Sequence, residues 1–180
     1  MIYATTGYIG SGKDTVIDIL GEFFEAEKLN ISDLVRQLAM QHGVSIEREP
    51  LTRFTERILA ENGSDYFINR AVEQIRKMKA PVILVSGIRT PENVEVMKKA
   101  FPKEFILIAL SVTQENRFER IRKRASDKDD VSYTEFMQHD AEQERIFGIS
   151  KAMELADYHI DNNGSRYDLE SVLKKISYNI

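Results

Sequence analysis

Hydrophobic positions along the chain fall into short runs, separated by longer segments in which apolar residues recur with helical spacing. Apolar runs predict strands at Ile2–Thr6, Pro81–Ser86 and Phe105–Val112, and shorter strands are predicted at Lys28–Ile31 and Tyr158–Asp161. Runs such as Val-Ile-Leu-Val, with no polar residue between, are typical of strands buried on both faces of a parallel sheet. The pattern therefore predicts a sheet of parallel strands.

Helices are predicted between these strands from apolar spacing and from capping residues. The predicted helices are Lys13–Ala26, Ser32 to about His42, Leu51–Glu61, Ser64–Lys79, and four more that begin at the caps Thr90, Thr113, Ser132 and Ser165. Ser132 and Glu135 have the spacing of a capping box, and Gly148 suits the end of that helix. Strands that alternate with helices predict an α/β fold, in which ligands bind at the carboxyl ends of the parallel strands.

The first predicted strand runs directly into the glycine-rich segment Gly-Tyr-Ile-Gly-Ser-Gly-Lys-Asp-Thr, residues 7–15. Gly7, Gly12 and Lys13 have the spacing G-x-x-x-x-G-K of a phosphate-binding loop between a strand and a helix. Glycines let consecutive backbone N–H groups curl around phosphate oxygens, which the helix dipole and the lysine ammonium also attract. The segment predicts ATP as a cofactor. Its candidate binding residues are Gly7, Gly10, Ser11, Gly12, Lys13, Asp14 and Thr15.

The position after Lys13, where a serine or threonine usually places a hydroxyl on Mg²⁺, holds Asp14, and Thr15 follows. Because Mg²⁺ prefers oxygen ligands and keeps several waters, Asp14 and Thr15 are the candidate metal ligands. The alternative is that Asp14 is an acidic residue of the first helical turn, where the dipole favours it. The ending Gly-Lys-x-Thr resembles that of adenylate kinases and related nucleoside monophosphate kinases.

Composition narrows the class of protein. A chain of 180 residues that is 42% hydrophobic and 30% charged is expected to form one domain spanning residues 1–180. Its net charge of −4 gives no strong signal for nucleic-acid binding. The absence of cysteine excludes disulfides, thiolate metal sites and a cysteine nucleophile. No apolar run reaches membrane-spanning length and no signal peptide is recognised, so a cytoplasmic location without membrane contact is expected.

Residues that follow the second predicted strand are candidates for binding an acceptor substrate. Asp33 and Arg36 are three residues apart and lie on one side of a helix. Arg36 suits bidentate binding of a phosphate, while Asp33 suits the orientation of a hydroxyl. The alternative is a surface ion pair between the two side chains.

The segment Ser-Gly-Ile-Arg-Thr-Pro at residues 86–91 resembles the adenylate kinase segment Asp-Gly-Phe-Pro-Arg-Thr, shortened by one residue. The resemblance implies that Arg89 contacts the acceptor phosphate. It also implies an aspartate that supports magnesium, but Ser86 stands in its place. The serine leaves three possibilities open, namely that Asp14 or another carboxylate compensates, that metal use is weaker, or that catalysis is reduced.

An arginine-rich helix is predicted after the fourth strand. Arg117, Arg120 and Arg124 recur at i, i+3 and i+7, which places them on one helical face. Guanidinium groups suit the charge that spreads over a phosphoryl group in transfer, so Arg120 and Arg124 are candidate catalytic residues. The alternative is a solvated helix whose arginines pair with Glu115 and Glu119.

Two segments are expected to complete the substrate sites. Residues 117–147, with the loop Ser126–Val131 and a helix carrying Arg145, are expected to form a small lid over the nucleotide. A mainly helical insert at about residues 44–79 is expected to bind the acceptor. Its aromatic residues, among them Phe54, suit either the core or stacking on an acceptor base.

The segment Ala-Asp-Tyr-His-Ile-Asp-Asn-Asn-Gly-Ser at residues 156–165 resembles the end of dephospho-coenzyme A kinases, which leads into the nucleotide-base edge. The resemblance implies that Asn163 contributes to nucleotide binding, although a turn followed by a helix cap explains the same residues locally. From end to end the chain resembles small P-loop kinases, and among them the archaeal-type group related to both adenylate kinase and dephospho-coenzyme A kinase. This implies a parallel-sheet P-loop NTPase fold of nucleoside monophosphate kinase type.

The expected activity is Mg²⁺-assisted transfer of the γ-phosphoryl group of ATP to a small phosphorylated acceptor, a nucleoside monophosphate. The expected catalytic residues are Lys13, Arg89, Arg120 and Arg124, and the expected acceptor-binding residues are Asp33, Arg36 and Arg89. One alternative is dephospho-coenzyme A kinase, in which Asp33 acts as base on a ribose hydroxyl. The other is a regulatory or RNA-associated switch that binds ATP and turns over slowly, which Ser86 favours.

Overall fold

The computed structural model describes residues 1–124 and 132–178 of the protein. The strands are β1 (Ile2–Thr6), β2 (Ala26–Asn30), β3 (Val82–Ser86), β4 (Phe105–Ser111) and β5 (Tyr158–Asp161). In the described residues they form one five-stranded sheet in the order β2-β3-β1-β4-β5, and every pairing is parallel. This arrangement confirms the predicted α/β fold of a parallel-sheet P-loop NTPase.

Helices cover both faces of the sheet. They are α1 (Lys13–Phe23), α2 (Ile31–Gln41), α3 (Arg48–Asn62), α4 (Tyr66–Ile75), α5 (Pro91–Ala100), α6 (Gln114–Arg124), α7 (Tyr133–Phe147), α8 (Ile149–Glu154) and α9 (Arg166–Tyr178). Residues of α1 and α9 share a core with Tyr3 and Leu84, whereas residues of α2–α5 and α8 share one with Ala4 and Val85. Neighbouring strand residues point to opposite faces, so each apolar run supplies both cores. None of the helices in the described ranges is long and apolar enough to span a membrane.

The centre of the sheet positions the candidate site. β1 pairs with β3 on one side and with β4 on the other. From β1 the chain goes outward to β2 and returns to β3, and it then continues on the opposite side with β4 and β5. The strand order therefore reverses at β1, and the crevice outside its carboxyl end is where ligands bind in open parallel sheets.

The predicted end of the first helix is wrong. α1 ends at Phe23 rather than Ala26, because Phe24 is extended (φ −128°, ψ 148°) and its ring stacks on Tyr3 with 5.7 Å between centroids. Ala26 already pairs with β3 as the first residue of β2. A tertiary contact between two rings thus overrides the helical periodicity.

The predicted cap of the second helix is also wrong. Asn30 rather than Ser32 caps α2, since the side-chain oxygen of Asn30 accepts the backbone N–H of Ser32 at 2.9 Å. Ile31, predicted as a strand residue, is the first helical residue and is buried. Asparagine and serine are equally good N-caps, so capping preference alone does not choose between Asn30 and Ser32. Starting the helix at Asn30 makes Ile31 a helical residue and buries its side chain, which favours the earlier start.

The helices of the insert differ from prediction in length. α3 extends beyond the predicted Leu51–Glu61 at both ends, and α4 is shorter than the predicted Ser64–Lys79. Before α4, the N–H of Tyr66 donates to the carbonyl of Gly63 (φ 99°) at 3.2 Å, which delays the helix start. After α4, the N–H groups of residues 79 and 80 donate to the Glu27 carboxylate on β2, so this segment leaves the helix.

Smaller differences occur at three further boundaries. β3 begins at Val82 rather than Pro81, because proline has no N–H for the strand ladder. β4 ends at Ser111 rather than Val112, where its partner β5 also ends. The sequence pattern predicts no helix at α8, although Gly148 (φ 61°) ends α7 as predicted and the chain enters α8 directly after it.

Several local signals are confirmed. β1 and β5 have the predicted bounds, the Thr90 hydroxyl caps α5 at the N–H of Asn93, and Ser132 and Glu135 form the capping box of α7. The predicted polar loop at residues 126–131 lies outside the described residues.

Candidate functional site

The glycines of residues 7–12 have backbone conformations that other residues avoid. Gly7, Gly10 and Gly12 have φ values of 142°, 79° and 95°. A Cβ on Gly7 would lie 2.8 Å from the Leu110 carbonyl oxygen, and one on Gly10 would lie 2.8 Å from the Arg117 carbonyl oxygen. The loop is therefore closely packed against the end of β4 and against α6, and only glycine fits at these positions.

Lys13 joins this loop to α1. Its ammonium donates to the carbonyl oxygens of Gly7 and Tyr8, both at 2.8 Å. Gly12 precedes the helix in a left-handed conformation and offers no side-chain cap, so N–H groups of the first turn face the loop. A fixed cation and a helix N-terminus at one place are suited to hold an anion such as a phosphate chain.

A turn after β5 supports the loop from the other side. The buried side chain of Asn162 donates from Nδ2 to the Ser11 carbonyl at 2.8 Å. A Cβ on Gly12 would lie 2.5 Å from the same Nδ2 atom. The Asn162 carbonyl in turn accepts from Nη2 of Arg120 at 2.6 Å. Sequence reasoning missed Asn162, because its Asn-Asn-Gly context reads locally as a turn.

The three arginines predicted to share one face of α6 differ in their surroundings. Arg117 is buried and forms a bidentate ion pair with Asp140 of α7, at 2.7 Å and 2.6 Å. Arg120 is bound to Asn162 as described, and the side chain of Arg124 lies outside the described residues. Arg117 therefore joins two helices, and the alternative of a wholly solvated helix is wrong for this arginine.

Asn163 connects the same turn to α6. Its Oδ1 atom accepts from the backbone N–H of Thr113 and from Nδ2 of Asn116, both at 3.0 Å. Its own Nδ2 donates to Asp161 at 2.7 Å. These bonds fix the edge where a nucleotide base is expected, and the contribution of Asn163 to nucleotide binding stays a prediction.

Two arginines meet at the carboxyl ends of β2 and β3. Arg36 on α2 pairs with Asp33 at 2.6 Å, and both side chains are about half exposed. Arg89 follows β3, and its guanidinium lies over the ring of Phe147, 5.3 Å from the centroid. Arg89 as a whole is exposed, but desolvation of its guanidinium by neighbouring atoms and, after it, the positive charge of Arg36 lower the pKa of that guanidinium. In the described part of the chain, no carboxylate forms an ion pair with Arg89, so an anion placed between the arginines would be stabilised.

The residues around the loop fit a magnesium ion that keeps most of its waters. Asp14 is exposed in the first turn of α1, and Thr15 beside it is half-buried. No cluster of three or more acidic or histidine side chains that could hold a metal occurs among the described residues. Mg²⁺ commonly takes one or two protein ligands together with substrate phosphates, so such a cluster is not required. Ser86 is half-buried at the end of β3.

The aromatic residues of the insert are mostly core. Phe54 and Phe67 are buried in the larger hydrophobic cluster with 4% and 6% exposure. Tyr66 is half-buried and its hydroxyl accepts from Arg70 at 3.1 Å. Of the two possibilities, a place in the core or stacking on an acceptor base, both phenylalanines therefore follow the first.

Comparison with known proteins adds sequence relatives. A family profile described as "AAA domain" matches residues 4–147. The chain is 32% identical to a "UPF0200/UPF0201 protein" of Archaeoglobus fulgidus over 99% of its own length, and it spans only 57% of that relative. It is 30% identical to a "UPF0200 protein" of Thermococcus kodakarensis, over 98% of this chain and 96% of the relative.

Solved structures with the same fold are small kinases and a protein titled TT1252. TT1252 from Thermus thermophilus has a TM-score of 0.68 at 20% identity, covering 100% of this chain and 97% of that one. Shikimate kinase from Bacteroides thetaiotaomicron has a TM-score of 0.64 at 15% identity, covering 99% and 97%. A gluconokinase from Sinorhizobium meliloti has a TM-score of 0.62 at 14% identity, covering 98% and 93%.

At these identities the solved structures show the fold alone, which is a P-loop kinase-like fold. The family profile covers most of the chain, and the Thermococcus relative is matched along nearly all of its length. This chain therefore belongs to the UPF0200 family, and its residues 4–147 belong to the family described as "AAA domain".

Proposed function

We propose that the protein is an ATP-dependent phosphotransferase whose acceptor is a small phosphorylated molecule, a nucleoside monophosphate. The observation that carries the proposal is the presence of two cationic centres at one edge of the sheet. One is the glycine loop with Lys13, after β1. The other is the pair Arg36 and Arg89, after the neighbouring strands β2 and β3. Transfer between two phosphates needs a cationic centre for each of them.

The donor phosphates are assigned to the glycine loop. Backbone N–H groups of residues 10–15 would hold the phosphate oxygens, and the Lys13 ammonium would leave its loop carbonyls to neutralise the outer phosphates. Asp14, through water, and Thr15 would hold Mg²⁺, which neutralises charge on the phosphate oxygens when bound. The close packing of Gly7 and Gly10 supports the phosphate part of this assignment.

The acceptor phosphate is assigned to the two arginines. A planar guanidinium binds phosphate bidentately, and the Arg89 guanidinium lies over the Phe147 ring. An oxygen of the ionised acceptor phosphate attacks the γ-phosphorus, the bond to the bridging oxygen breaks, and ADP leaves with that electron pair. The attacking oxygen is already deprotonated, so no general base is needed.

Further elements of the proposal concern the surroundings of the transferred group. Arg120 and Arg124 on α6 are proposed to stabilise its charge, with residues 117–147 acting as a lid. The helical insert at about residues 44–79 is proposed to hold the rest of the acceptor. We treat the chain as one domain, residues 1–180, in which all these parts serve a single site.

A second candidate, dephospho-coenzyme A kinase, is favoured by Asp33. This carboxylate is more than half exposed in the first turn of α2, at the same edge as Arg89. In that reaction it would take the proton of a ribose hydroxyl. In the structure, however, Oδ1 of Asp33 accepts from Nη1 of Arg36 at 2.6 Å. Asp33 is thus placed to orient the arginine that we assign to the acceptor phosphate, which favours the monophosphate acceptor.

An acceptor panel tests these alternatives. ADP formation is followed with nucleoside monophosphates, with dephospho-coenzyme A and with no acceptor, and a Lys13→Ala preparation controls for contaminating kinases. We expect turnover with a nucleoside monophosphate. Turnover with dephospho-coenzyme A alone would select the second candidate. ATP binding without stimulation by any acceptor would contradict both and favour a nucleotide-dependent switch, which Ser86 at the end of β3 also suits.

A further inference from the structure

Residues 8–10 of the phosphate loop are held in place by the helix pair α6–α7. The Tyr8 hydroxyl donates to the Glu144 carboxylate of α7 at 2.6 Å. The Ile9 carbonyl accepts from Nη1 of Arg117 at 3.2 Å. Gly10 packs on the Arg117 backbone, as described above. Two consecutive loop residues are thus bonded by side chains far away in sequence, and the third packs against the backbone of α6.

Both helices are locked to each other beneath these contacts. The Arg117 guanidinium lies close to the rings of Tyr8 and Phe136, at 5.0 Å and 5.1 Å from their centroids. It also forms the bidentate ion pair with Asp140. Asp140 and Glu144 are four residues apart on α7, so one face of this helix carries both carboxylates. Glu144 binds the loop directly through Tyr8, and Asp140 acts on it through Arg117.

The Tyr8–Glu144 bond is stable around neutral pH. Burial and then the Glu144 carboxylate raise the pKa of Tyr8 well above its ordinary value, so the hydroxyl stays protonated. Burial alone would raise the pKa of Glu144, but hydrogen bonds from Ser150 and Tyr8 lower it below its ordinary value. The donor therefore keeps its proton and the acceptor keeps its charge, which makes the bond charge-assisted.

We infer that Tyr8, Asp140 and Glu144 are positioning residues that hold the phosphate loop in its nucleotide-binding shape before ATP arrives. Glycines give the loop its shape at the cost of backbone freedom, so a loop without external support would have to be ordered on binding. Contacts from α7 supply that order in advance. The inference rests on the proposed function in taking ATP as the ligand, and it does not depend on the acceptor.

The variant Tyr8→Phe tests the inference most cleanly. It removes one hydroxyl and leaves the Arg117–Asp140 pair and the Phe147–Arg89 contact in place. We expect the dissociation constant of ATP, measured by calorimetry, to rise about tenfold. The entropy of binding should become less favourable, because the loop must then be ordered when ATP binds. Tyr167→Phe, at a tyrosine that is 79% exposed, is the matched control and leaves the affinity unchanged.

A second arm uses the partner of the tyrosine. Glu144→Gln removes the charge, with Glu142→Gln on an exposed position of the same helix as its control. If both residues act through their shared bond, their effects do not add. The double variant Tyr8→Phe/Glu144→Gln should then have the same ATP dissociation constant as whichever single variant binds ATP less tightly. Thermal midpoints are recorded for all variants, and calorimetry is run well below the lowest of them.

Unchanged ATP affinity in Tyr8→Phe, or losses that add in the double variant, would overturn the inference. A lowered thermal midpoint with normal ATP affinity would also overturn the inference. The Tyr8–Glu144 bond would then stabilise the fold without positioning the loop for ATP. If wild-type protein binds ATP, loses affinity in these variants and yet phosphorylates no acceptor, the proposed function fails and the positioning role stands.

Discussion

Residues around the phosphate loop are buried and bonded to backbone atoms, whereas the arginines after β2 and β3 stand partly in solvent. Asn162 and Arg117 reach loop carbonyls from buried positions. Arg36, by contrast, is half exposed and its partner Asp33 more than half exposed. The proposed donor side is thus preorganised, while the proposed acceptor side depends on a few solvated side chains that would be ordered by what they bind.

This difference has an energetic consequence. Removing one partner of a buried ion pair leaves an uncompensated charge, while removing one partner of an exposed pair changes the free energy of unfolding little. We therefore expect substitutions of the buried residues that support the loop to affect both folding and ATP binding. Substitutions of the exposed residues after β2 and β3 should affect only the use of the acceptor.

Lys13→Ala should abolish transfer and remove detectable ATP binding in calorimetry, with the fold intact by circular dichroism. The lysine ammonium is the cation of the loop, and its loss leaves the phosphates with backbone donors only. Lys28→Ala, at an exposed lysine paired with Asp18, is the control and should bind ATP normally. Normal ATP affinity in Lys13→Ala would show that the loop does not hold the phosphates.

Arg117→Ala should lower the free energy of unfolding by about 3–5 kcal/mol, because Asp140 is left buried and unpaired. Chemical denaturation measures this directly, and the thermal midpoint should fall by roughly 10 °C for a chain of this size. Arg122→Ala removes an arginine from the same helix, where the pair with Glu119 is exposed. Its effect should stay within about 0.5 kcal/mol. Equal effects of the two variants would remove the contrast between buried and exposed cations.

Arg120→Ala and Arg124→Ala should lower kcat, by about 10²-fold each, more than they raise KM. An interaction made only in the transition state is lost from kcat and kcat/KM together. Steady-state kinetics with the best acceptor of the panel supply both constants. Normal turnover in both variants would contradict the catalytic role of these arginines. Arg120 would then have only the structural role given by its bond to the Asn162 carbonyl.

Asp33→Asn should have the smallest effect, a loss of about tenfold in kcat/KM for the acceptor and an unchanged free energy of unfolding. The carboxylate orients Arg36 but takes no proton, and a full general-base contribution would be larger, about 10²–10⁴-fold. Kinetics over a range of acceptor concentrations and denaturation of the same preparation measure the two quantities. A loss of 10³-fold would assign Asp33 the role of a base.

Much of the fold could be predicted because its signals are local. The apolar run of β1, the start of α1 at Lys13 and the capping box at Ser132 each depend on a few neighbouring residues, and all are confirmed. The errors occur where a distant contact decides. Phe24 leaves the first helix to stack on Tyr3.

The candidate site shows the same division. The glycine loop could be found from spacing alone, since its chemistry lies within nine consecutive residues. Its supports could not, because Asn162 is 151 positions from Ser11 and Glu144 is 136 positions from Tyr8. The sequence places Arg117 on a cationic face, but only the packing shows that its guanidinium pairs with Asp140.

A comparison of two variants shows whether Arg89 holds the phosphate of the acceptor. Arg89→Ala and Asp33→Asn are compared with wild type by kcat/KM for the best acceptor, with ATP affinity measured alongside. We expect Arg89→Ala to lose about 10²-fold or more and Asp33→Asn to lose about tenfold, both with normal ATP affinity. A larger loss in Asp33→Asn than in Arg89→Ala would contradict this role of Arg89 and would place a ribose hydroxyl at the reacting position.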